Sequence, residues 1–214
     1  MKKEDSNTNS LDQLNQIRDM MEQSSKFISL SGLSGVMAGL TALAGAFYGH
    51  FLIRSQQESL HDGLQLNYDG VRETILTKLF IAAALTLIIA IGFGAFFTIR
   101  KAKAKGQALF GSTSKRLAIN MLIPLISGGV FCLVLIYHGL IGLVAPATLI
   151  FYGLALVNAS KYTLNDIRNL GILEIMLGLI ASLYIGYGTL FWAIGFGMLH
   201  IVYGIVMYFK YDKA

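Results

Sequence analysis

One uncharged stretch decides the fold class of this chain: residues 117–160, LAINMLIPLISGGVFCLVLIYHGLIGLVAPATLIFYGLALVNAS. Its 44 residues include no Lys, Arg, Asp or Glu. A helix needs about 20 apolar residues to cross a bilayer, so this stretch predicts two crossings joined by a turn near residues 137–139. Helices are expected because backbone that faces lipid must satisfy its own hydrogen bonds.

Similar stretches on both sides raise the number of predicted crossings to six. Residues 27–53 and 79–99 carry no formal charge and predict one span each. Residues 171–209 carry only Glu174 as a formal charge and predict two spans around a turn at 186–189. The predicted fold is therefore an all-α membrane protein whose six transmembrane helices form three helical hairpins.

The chain outside the spans is short. Residues 1–26 form a predicted cytoplasmic segment, in which Leu11, Leu14 and Ile17 recur at helical spacing and predict a short amphipathic helix. Residues 27–209 then form one transmembrane domain, followed by a cytoplasmic tail at residues 210–214.

Composition supports a membrane protein. Apolar residues make up 55% of the chain and charged residues 14%, against roughly 45–50% and 25% in soluble domains. The net charge of +5 arises from basic residues that flank the spans, so nucleic acid is not an expected partner. The sequence predicts no cofactor, and the single Cys132 excludes an intramolecular disulfide.

The basic residues also predict the orientation. Fourteen of the 17 Lys and Arg residues lie in the N-terminal segment, in two of the loops and in the tail, which are on one side of the membrane if six helices cross it. By the positive-inside rule this side is the cytoplasm, so both termini are expected there. In this overall pattern the chain resembles the uncharacterised six-span bacterial inner-membrane proteins. The resemblance implies a bacterial inner-membrane location and no particular site residues.

The first span has a strong packing signature. Gly35-x-x-x-Gly39 and Gly45-x-x-x-Gly49 are pairs of small residues at four-residue spacing, which let helix backbones approach closely. The pattern predicts that this span is central to the bundle, or that it joins a second copy or another membrane protein.

The same span contains Gly32-Leu33-Ser34-Gly35, which resembles the G-x-S-G around the nucleophile of rhomboid intramembrane proteases. The resemblance implies a serine nucleophile at Ser34 and a general base on a late helix, where His200 lies. Counting residues from the outer turns places the two at depths that differ by about 9 Å. A Ser–His hydrogen bond requires about 3 Å, so no catalytic pair is expected.

Glu174 and His200 are the ionisable residues inside the last predicted hairpin, and such residues within a membrane are functional candidates. The same depth count separates them by about 9 Å, which predicts no direct pairing. Glu174 is instead expected to share a polar layer with Ser34, Asn120 and Asn158, or to extend its carboxylate to the interface. His200 is expected either to be hydrogen-bonded in the bundle or to handle a proton or ligand.

Three histidines are predicted at the outer side: His50, His61 and His138. Together with nearby carboxylates they form a candidate site for zinc or a similar ion. Their spacing matches no known ligand motif, which favours the alternative that they are scattered interfacial histidines.

A weak internal repeat links the second and third hairpins. Ile150, Tyr152 and Gly153 precede Ile201, Tyr203 and Gly204 by a constant 51 residues. Leu149 occupies the place of His200, so the shared packing does not require the histidine.

These features leave three classes of function open. Strong packing signals and weak chemical ones favour a non-enzymatic membrane component, such as an assembly, scaffold or accessory subunit. A transporter or channel for small solutes that uses Glu174 and His200 is the alternative. An intramembrane enzyme is a third, although no catalytic residue can be assigned because no nucleophile elbow, metalloprotease motif or paired carboxylate is present.

Overall fold

The computed structural model describes residues 31–61, 68–104 and 111–213. These residues form helices and turns and no β-strand. The long helices are α1 (Gly32–His61), α2 (Tyr68–Ala104), α3 (Ser112–Tyr137), α4 (Val144–Ala159), α5 (Asp166–Leu183) and α6 (Gly188–Asp212). The predicted amphipathic helix before the first span lies outside the described residues.

Five of the helices are long and apolar enough to cross a membrane. The qualifying segments are Gly32–Ser55, Leu76–Ala104, Ser112–Tyr137, Ile141–Tyr162 and Gly188–Asp212. Helix α5 is the exception, since its 18 residues include Asp166, Arg168 and Glu174. The protein is therefore a membrane protein whose described residues are all-helical, with five membrane-capable helices and a sixth, more polar one packed among them.

The chain reverses direction at both predicted turns. Helix α3 ends at Tyr137, and Gly139 takes a φ of 74°. Helix α5 ends at Leu183, and Gly186 takes a φ of 106° before α6 begins at Gly188. Positive φ is costly for residues with a Cβ, which explains why glycine occupies both reversals.

The first two helices extend beyond the predicted spans. The first span was predicted to end at residue 53 and the second to begin at residue 79, but α1 continues to His61 and α2 already begins at Tyr68. Residues 54–61 read RSQQESLH, and Arg, Gln, Glu and Leu are good helix formers. Helical propensity therefore extends α1 beyond the apolar span.

The bundle is organised around two closely packed helix pairs. Helix α4 packs most extensively against α5, and α1 packs along much of α6. Helices α2 and α3 lie outside these pairs, where α2 packs chiefly on α1 and α3 packs chiefly on α4. Both outer helices have many exposed apolar side chains, as expected for surfaces that face lipid.

Ionic contacts join four helix ends at one end of the bundle. Asp212 of α6 accepts hydrogen bonds from the Ser31 hydroxyl and the Gly32 backbone amide and also pairs with Lys101 of α2. Asp166 of α5 accepts hydrogen bonds from Lys210 at 2.9 Å and from the Tyr211 hydroxyl at 2.7 Å. The last turn of α6 therefore joins the starts of α1 and α5 to the end of α2.

Candidate functional site

Glu174 is the most deeply buried charged residue among those that the structure describes. It lies in the middle of α5 with no exposed surface, and neither carboxylate oxygen makes a hydrogen bond to a described residue. Buried polar groups nearly always have a partner, and an uncompensated charge costs several kcal/mol in such surroundings, on the order of 3–5 kcal/mol. Glu174 therefore requires either a proton of its own or a neighbouring cation.

His200 supplies the neighbouring group. This residue of α6 is only 8% exposed, and its Nδ1 lies 3.4 Å from Oε1 of Glu174. The same Nδ1 is 3.0 Å from the Gly195 carbonyl oxygen, and Nε2 is 2.7 Å from the Tyr152 hydroxyl. Helices α4, α5 and α6 thus bring Tyr152, Glu174 and His200 together in one cluster.

The prediction that Glu174 and His200 do not pair was wrong. Glu174 lies 12 residues before the turn at 186–189, and His200 lies 11 residues after it. Regular α-helices therefore already place the two at similar depths, and the predicted separation of about 9 Å was too large. Residues Ala193–Leu199, directly before His200, form a π-helix.

Gly195 gives this cluster its shape. It lies within the π-helix, and a Cβ added there would lie 2.5 Å from Oε2 of Glu174 and 2.5 Å from Cδ2 of Leu149. Its carbonyl oxygen accepts a hydrogen bond from His200 Nδ1. The absence of a side chain therefore lets the carboxylate approach the backbone of α6, and π-helical segments of this kind often occur at functional sites.

Aromatic rings enclose the histidine. The Phe196 ring stacks on the His200 imidazole with centroids 6.0 Å apart, and it also contacts Tyr152 and Trp192 at 4.9 Å. These rings replace water around the imidazole and lower the local dielectric response. Electrostatic interactions within the cluster are stronger than in water for this reason.

The hydrogen bonds define how the cluster can carry a proton. A carbonyl oxygen only accepts, so Nδ1 of His200 must carry a hydrogen in its contact with Gly195. When the imidazole is neutral, the Tyr152 hydroxyl donates to Nε2. When the imidazole is protonated, Nε2 donates to the Tyr152 oxygen and the cation lies beside the Glu174 carboxylate. The cluster can therefore exchange a proton without losing the Tyr152–His200 contact.

The predicted polar layer around Glu174 does not form. Ser34 donates to the carbonyl of Ser31, and Asn120 donates to the carbonyl of Arg116 within its own helix. Asn158 of α4 does reach α3, where its amide donates to the Asn120 carbonyl at 2.9 Å. The asparagines thus join α3 to α4, and Glu174 hydrogen-bonds to none of these side chains.

Ser34 and His200 do not form a catalytic pair. A Cβ on Gly35, next to Ser34, would lie 3.3 Å from the His200 carbonyl oxygen, so the predicted difference in depth was too large. The pair is absent because both ring nitrogens of His200 have other partners and the Ser34 hydroxyl donates to Ser31.

The outer histidines are only partly described. His50 and His138 are exposed, and the His138 ring packs edge-on against Tyr137. The side chain of His61 lies outside the described residues. No group of three His, Cys, Asp or Glu residues capable of holding a metal occurs in the described part of the chain. The metal hypothesis involving all three histidines stays a prediction.

The glycines of the first span contact helices of the same chain. A Cβ on Gly35 would lie 3.1 Å from Gly204 Cα, and one on Gly39 would lie 2.6 Å from the Gly197 carbonyl oxygen, both in α6. Gly45 contacts Thr86 of α2, and Gly49 lies 3.7 Å from Leu79 by the same measure. A partner protein would therefore meet other surfaces than the Gly35 and Gly39 face.

Sequence reasoning missed Tyr152 and Gly195 as members of the cluster. The sequence pattern places Tyr152 only in the 51-residue repeat. A tyrosine within an apolar span usually needs a partner for its hydroxyl, and this requirement was the available signal. Gly195 has no such signal, because its role depends on the π-helix.

Comparison with known proteins gives no relative to guide the assignment: no family model, curated protein or solved structure matches this chain. The functional argument therefore depends on the cluster of Tyr152, Glu174 and His200.

Proposed function

We propose that this chain is a proton-coupled transporter of small solutes in the bacterial inner membrane, with Glu174 and His200 as its proton-binding pair. The observation that carries the proposal is a fully buried carboxylate that has no hydrogen bond to any residue in the described ranges and lies 3.4 Å from an imidazole nitrogen. Ionisable groups in membrane helices are costly and commonly mark proton relays and solute pathways.

The transport proposal includes six membrane crossings with both termini in the cytoplasm. Helix α5 has 18 residues, and at 1.5 Å per residue it is about 27 Å long, close to the hydrocarbon thickness of roughly 30 Å. Its three charged residues include two at the bundle end where Asp166 meets the last turn of α6. The distribution of Lys and Arg supports the cytoplasmic assignment of that end.

The π-helix is the proposed moving element. Residues Ala193–Leu199 include Gly195 and Gly197, and His200 follows directly. A change between π and α winding would rotate His200 away from Glu174 and break the contact with Gly195. Protonation of Glu174 would remove the attraction between carboxylate and imidazolium and so favour this change, which couples proton binding to helix movement.

A second candidate function is the non-enzymatic accessory or scaffold component. It is favoured by the outward apolar faces of α2 and α3, which have no protein partner among the described residues. In this case Tyr152, Glu174 and His200 would only fix the packing of three helices.

The experiment that separates the two functions uses purified protein in liposomes on a solid-supported membrane. Jumps in the concentration of small amines, organic acids and sugars are applied at several pH values, and the resulting currents are recorded. The transport proposal expects a current with at least one solute class, its loss in Glu174→Gln, and its retention in Asp166→Asn. Absence of currents, or equal currents in Glu174→Gln, would favour the accessory function.

A further inference from the structure

Two helix pairs of the bundle use the same contact. Gly153 of α4 and Gly171 of α5 leave no room for side chains, since a Cβ on either would lie 2.5–2.7 Å from the carbonyl oxygen of the other. Gly204 of α6 and Gly32 of α1 exclude each other's side chains in the same way. The first helix of each hairpin (α1, α3 or α5) is its entering helix, and the second (α2, α4 or α6) is its returning helix. Each pair therefore joins the returning helix of one hairpin to the entering helix of another.

The second contact of each pair also matches. A Cβ on Gly178 of α5 would lie 2.7 Å from Cγ1 and 3.0 Å from N of Ile150. A Cβ on Gly39 of α1 would lie at the same distances, 2.7 Å and 3.0 Å, from Cγ1 and N of Ile201. The 51-residue repeat thus relates α4 to α6, and a second relation of 139 residues matches α1 to α5.

Helix α2 carries a third copy of the same motif. Ile91-Gly-Phe93-Gly94 lies 59 residues before Ile150-Phe-Tyr152-Gly153, so Gly94 takes the place of Gly153 and Gly204. A Cβ on Gly94 would meet no described atom of another helix within 4 Å. On the same helix face, Leu87 and Ile91 are 61% and 60% exposed. Helix α2 therefore carries the same kind of contact surface as α4 and α6, but no described helix packs on it.

Among the described helices, α3 is the entering helix that does not pack closely against the returning helix of another hairpin. Its Gly128 packs on Phe151 of its own hairpin, as Gly45 of α1 packs on Thr86. In α1 the residue six positions before Gly45 is Gly39, at the centre of the face that meets α6. The residue six positions before Gly128 is Leu122. The helix face that contains Leu122 also carries Ile126, Gly129 and Leu133, and all four residues are exposed.

We infer that α2 of one copy packs against α3 of a second copy, through the Leu87, Ile91 and Gly94 face and the Leu122, Ile126 and Gly129 face. In the two contacts inside the chain, an entering helix runs antiparallel to a returning one, and α3 and α2 have these same directions. A twofold axis along the membrane normal makes the contact twice in a dimer, since each copy offers both faces. This inference is independent of the proposed transport function.

A contact between α2 and α3 of two different copies is favoured over a contact between these helices within one chain. Helix α2 packs chiefly on α1 and α3 chiefly on α4, so any contact between α2 and α3 is marginal in the described part of the chain. The depths agree between copies, because Ile91 lies 9 residues before Arg100 and Ile126 lies 10 residues after Arg116. Small residues on one helix face promote such packing in membranes.

The test is disulfide crosslinking in native membranes. Two differently tagged chains, both Cys132→Ser, are co-expressed, one with Ile91→Cys and the other with Ile126→Cys. We expect oxidation to give a dimer that carries both tags. The control pair, Leu85→Cys with Phe131→Cys, is 53% and 46% exposed and lies at matching depths, but it is rotated from the test residues by about 120° and 140° on the two helices. Its crosslinked fraction should be at least several-fold lower.

Two outcomes overturn the inference. A chain that carries both Ile91→Cys and Ile126→Cys and crosslinks only within itself would show that the single chain closes between α2 and α3. Equal crosslinking of the test and control pairs, or none, would show that these faces meet lipid.

A second variant pair guards against misfolding. Gly94→Leu should reduce the crosslinked fraction several-fold without lowering the thermal unfolding temperature of the solubilised protein, since Gly94 contacts no other helix. Gly92→Leu, also without a contact within 4 Å, is the matched control and should preserve crosslinking. Equal crosslinking in both variants would overturn the inference.

Discussion

His200 Nδ1 lies 3.4 Å from Oε1 of Glu174, although the two residues are 26 positions apart and on opposite sides of a turn. The contact is possible because Gly195 has no side chain to separate α5 from α6. Tyr152 holds the other side of the imidazole at 2.7 Å. The predictions below separate the electrostatic, steric and hydrogen-bonding parts of this arrangement.

Replacement of both Glu174 and His200 should preserve or raise stability while it removes the proton site. Buried ion pairs are often no more stabilising than apolar residues of similar volume, so Glu174→Leu combined with His200→Leu is expected to change the free energy of unfolding by between zero and about +4 kcal/mol. Thermal unfolding in detergent measures the change. A large loss of stability in the double variant would instead identify the pair as structural.

Gly195→Ala should have the opposite effect. The added methyl group would lie 2.5 Å from both Glu174 Oε2 and Leu149 Cδ2, and overpacking of this kind costs about 1–3 kcal/mol. Gly92→Ala is the control because nothing lies within 4 Å, and it should be neutral or stabilising by up to about 1 kcal/mol from helix propensity. Equal unfolding temperatures for the two variants would contradict the close approach at Gly195.

Tyr152→Phe should change the electronic environment of His200 selectively. Loss of the hydroxyl removes one hydrogen bond, worth about 0.5–1.5 kcal/mol, and leaves Nε2 unpartnered. The ¹⁵N chemical shift of selectively labelled His200 is expected to move in Tyr152→Phe. Tyr203→Phe changes the equivalent position of the repeat, which does not bond His200, and a similar shift in both variants would count against the assigned contact.

Asp166 should make stability depend on acid pH. Partial burial acts to raise the pKa of Asp166, but the hydrogen bonds from Tyr211 and Lys210 and the charge of Lys210 outweigh it and lower the pKa. A lowered folded-state pKa gives stability that is fully present above the pKa of the unfolded chain and is lost as the pH falls through the folded value.

Thermal unfolding from about pH 7 down to about pH 3 covers this range. Asp166→Asn should be less stable than the wild type at neutral pH, and the difference should shrink as the pH falls. Lys210→Met should reproduce part of the loss at neutral pH. A difference between wild type and Asp166→Asn that stays constant across the range would show that ionisation of Asp166 contributes nothing.

The sequence predicts the course of the backbone better than the site. Long uncharged runs require helices, and the glycines at 139 and 186 correctly marked the reversals because few other residues tolerate positive φ. The Glu174–His200 contact could not be predicted from depth, because depth in the membrane does not determine which helix faces meet. The π-helix that directly precedes His200 arises from tertiary packing and has no simple sequence signal.

The repeat was likewise only partly visible. Ile150 and Ile201 have matching neighbours in sequence, but the match between Gly178 and Gly39 became clear only through their contacts with those isoleucines. Helix packing depends on which face of a helix carries the glycine. Three matching residues in two helices are too few to define that face.

The central claim is that Glu174 and His200 bind and release a proton, and pH-jump infrared difference spectroscopy of the protein in liposomes tests it most directly. The account predicts a carboxylic-acid C=O band whose intensity changes with pH, disappears in Glu174→Gln and persists in Asp166→Asn. A difference spectrum that is the same in Glu174→Gln and in the wild type would contradict it.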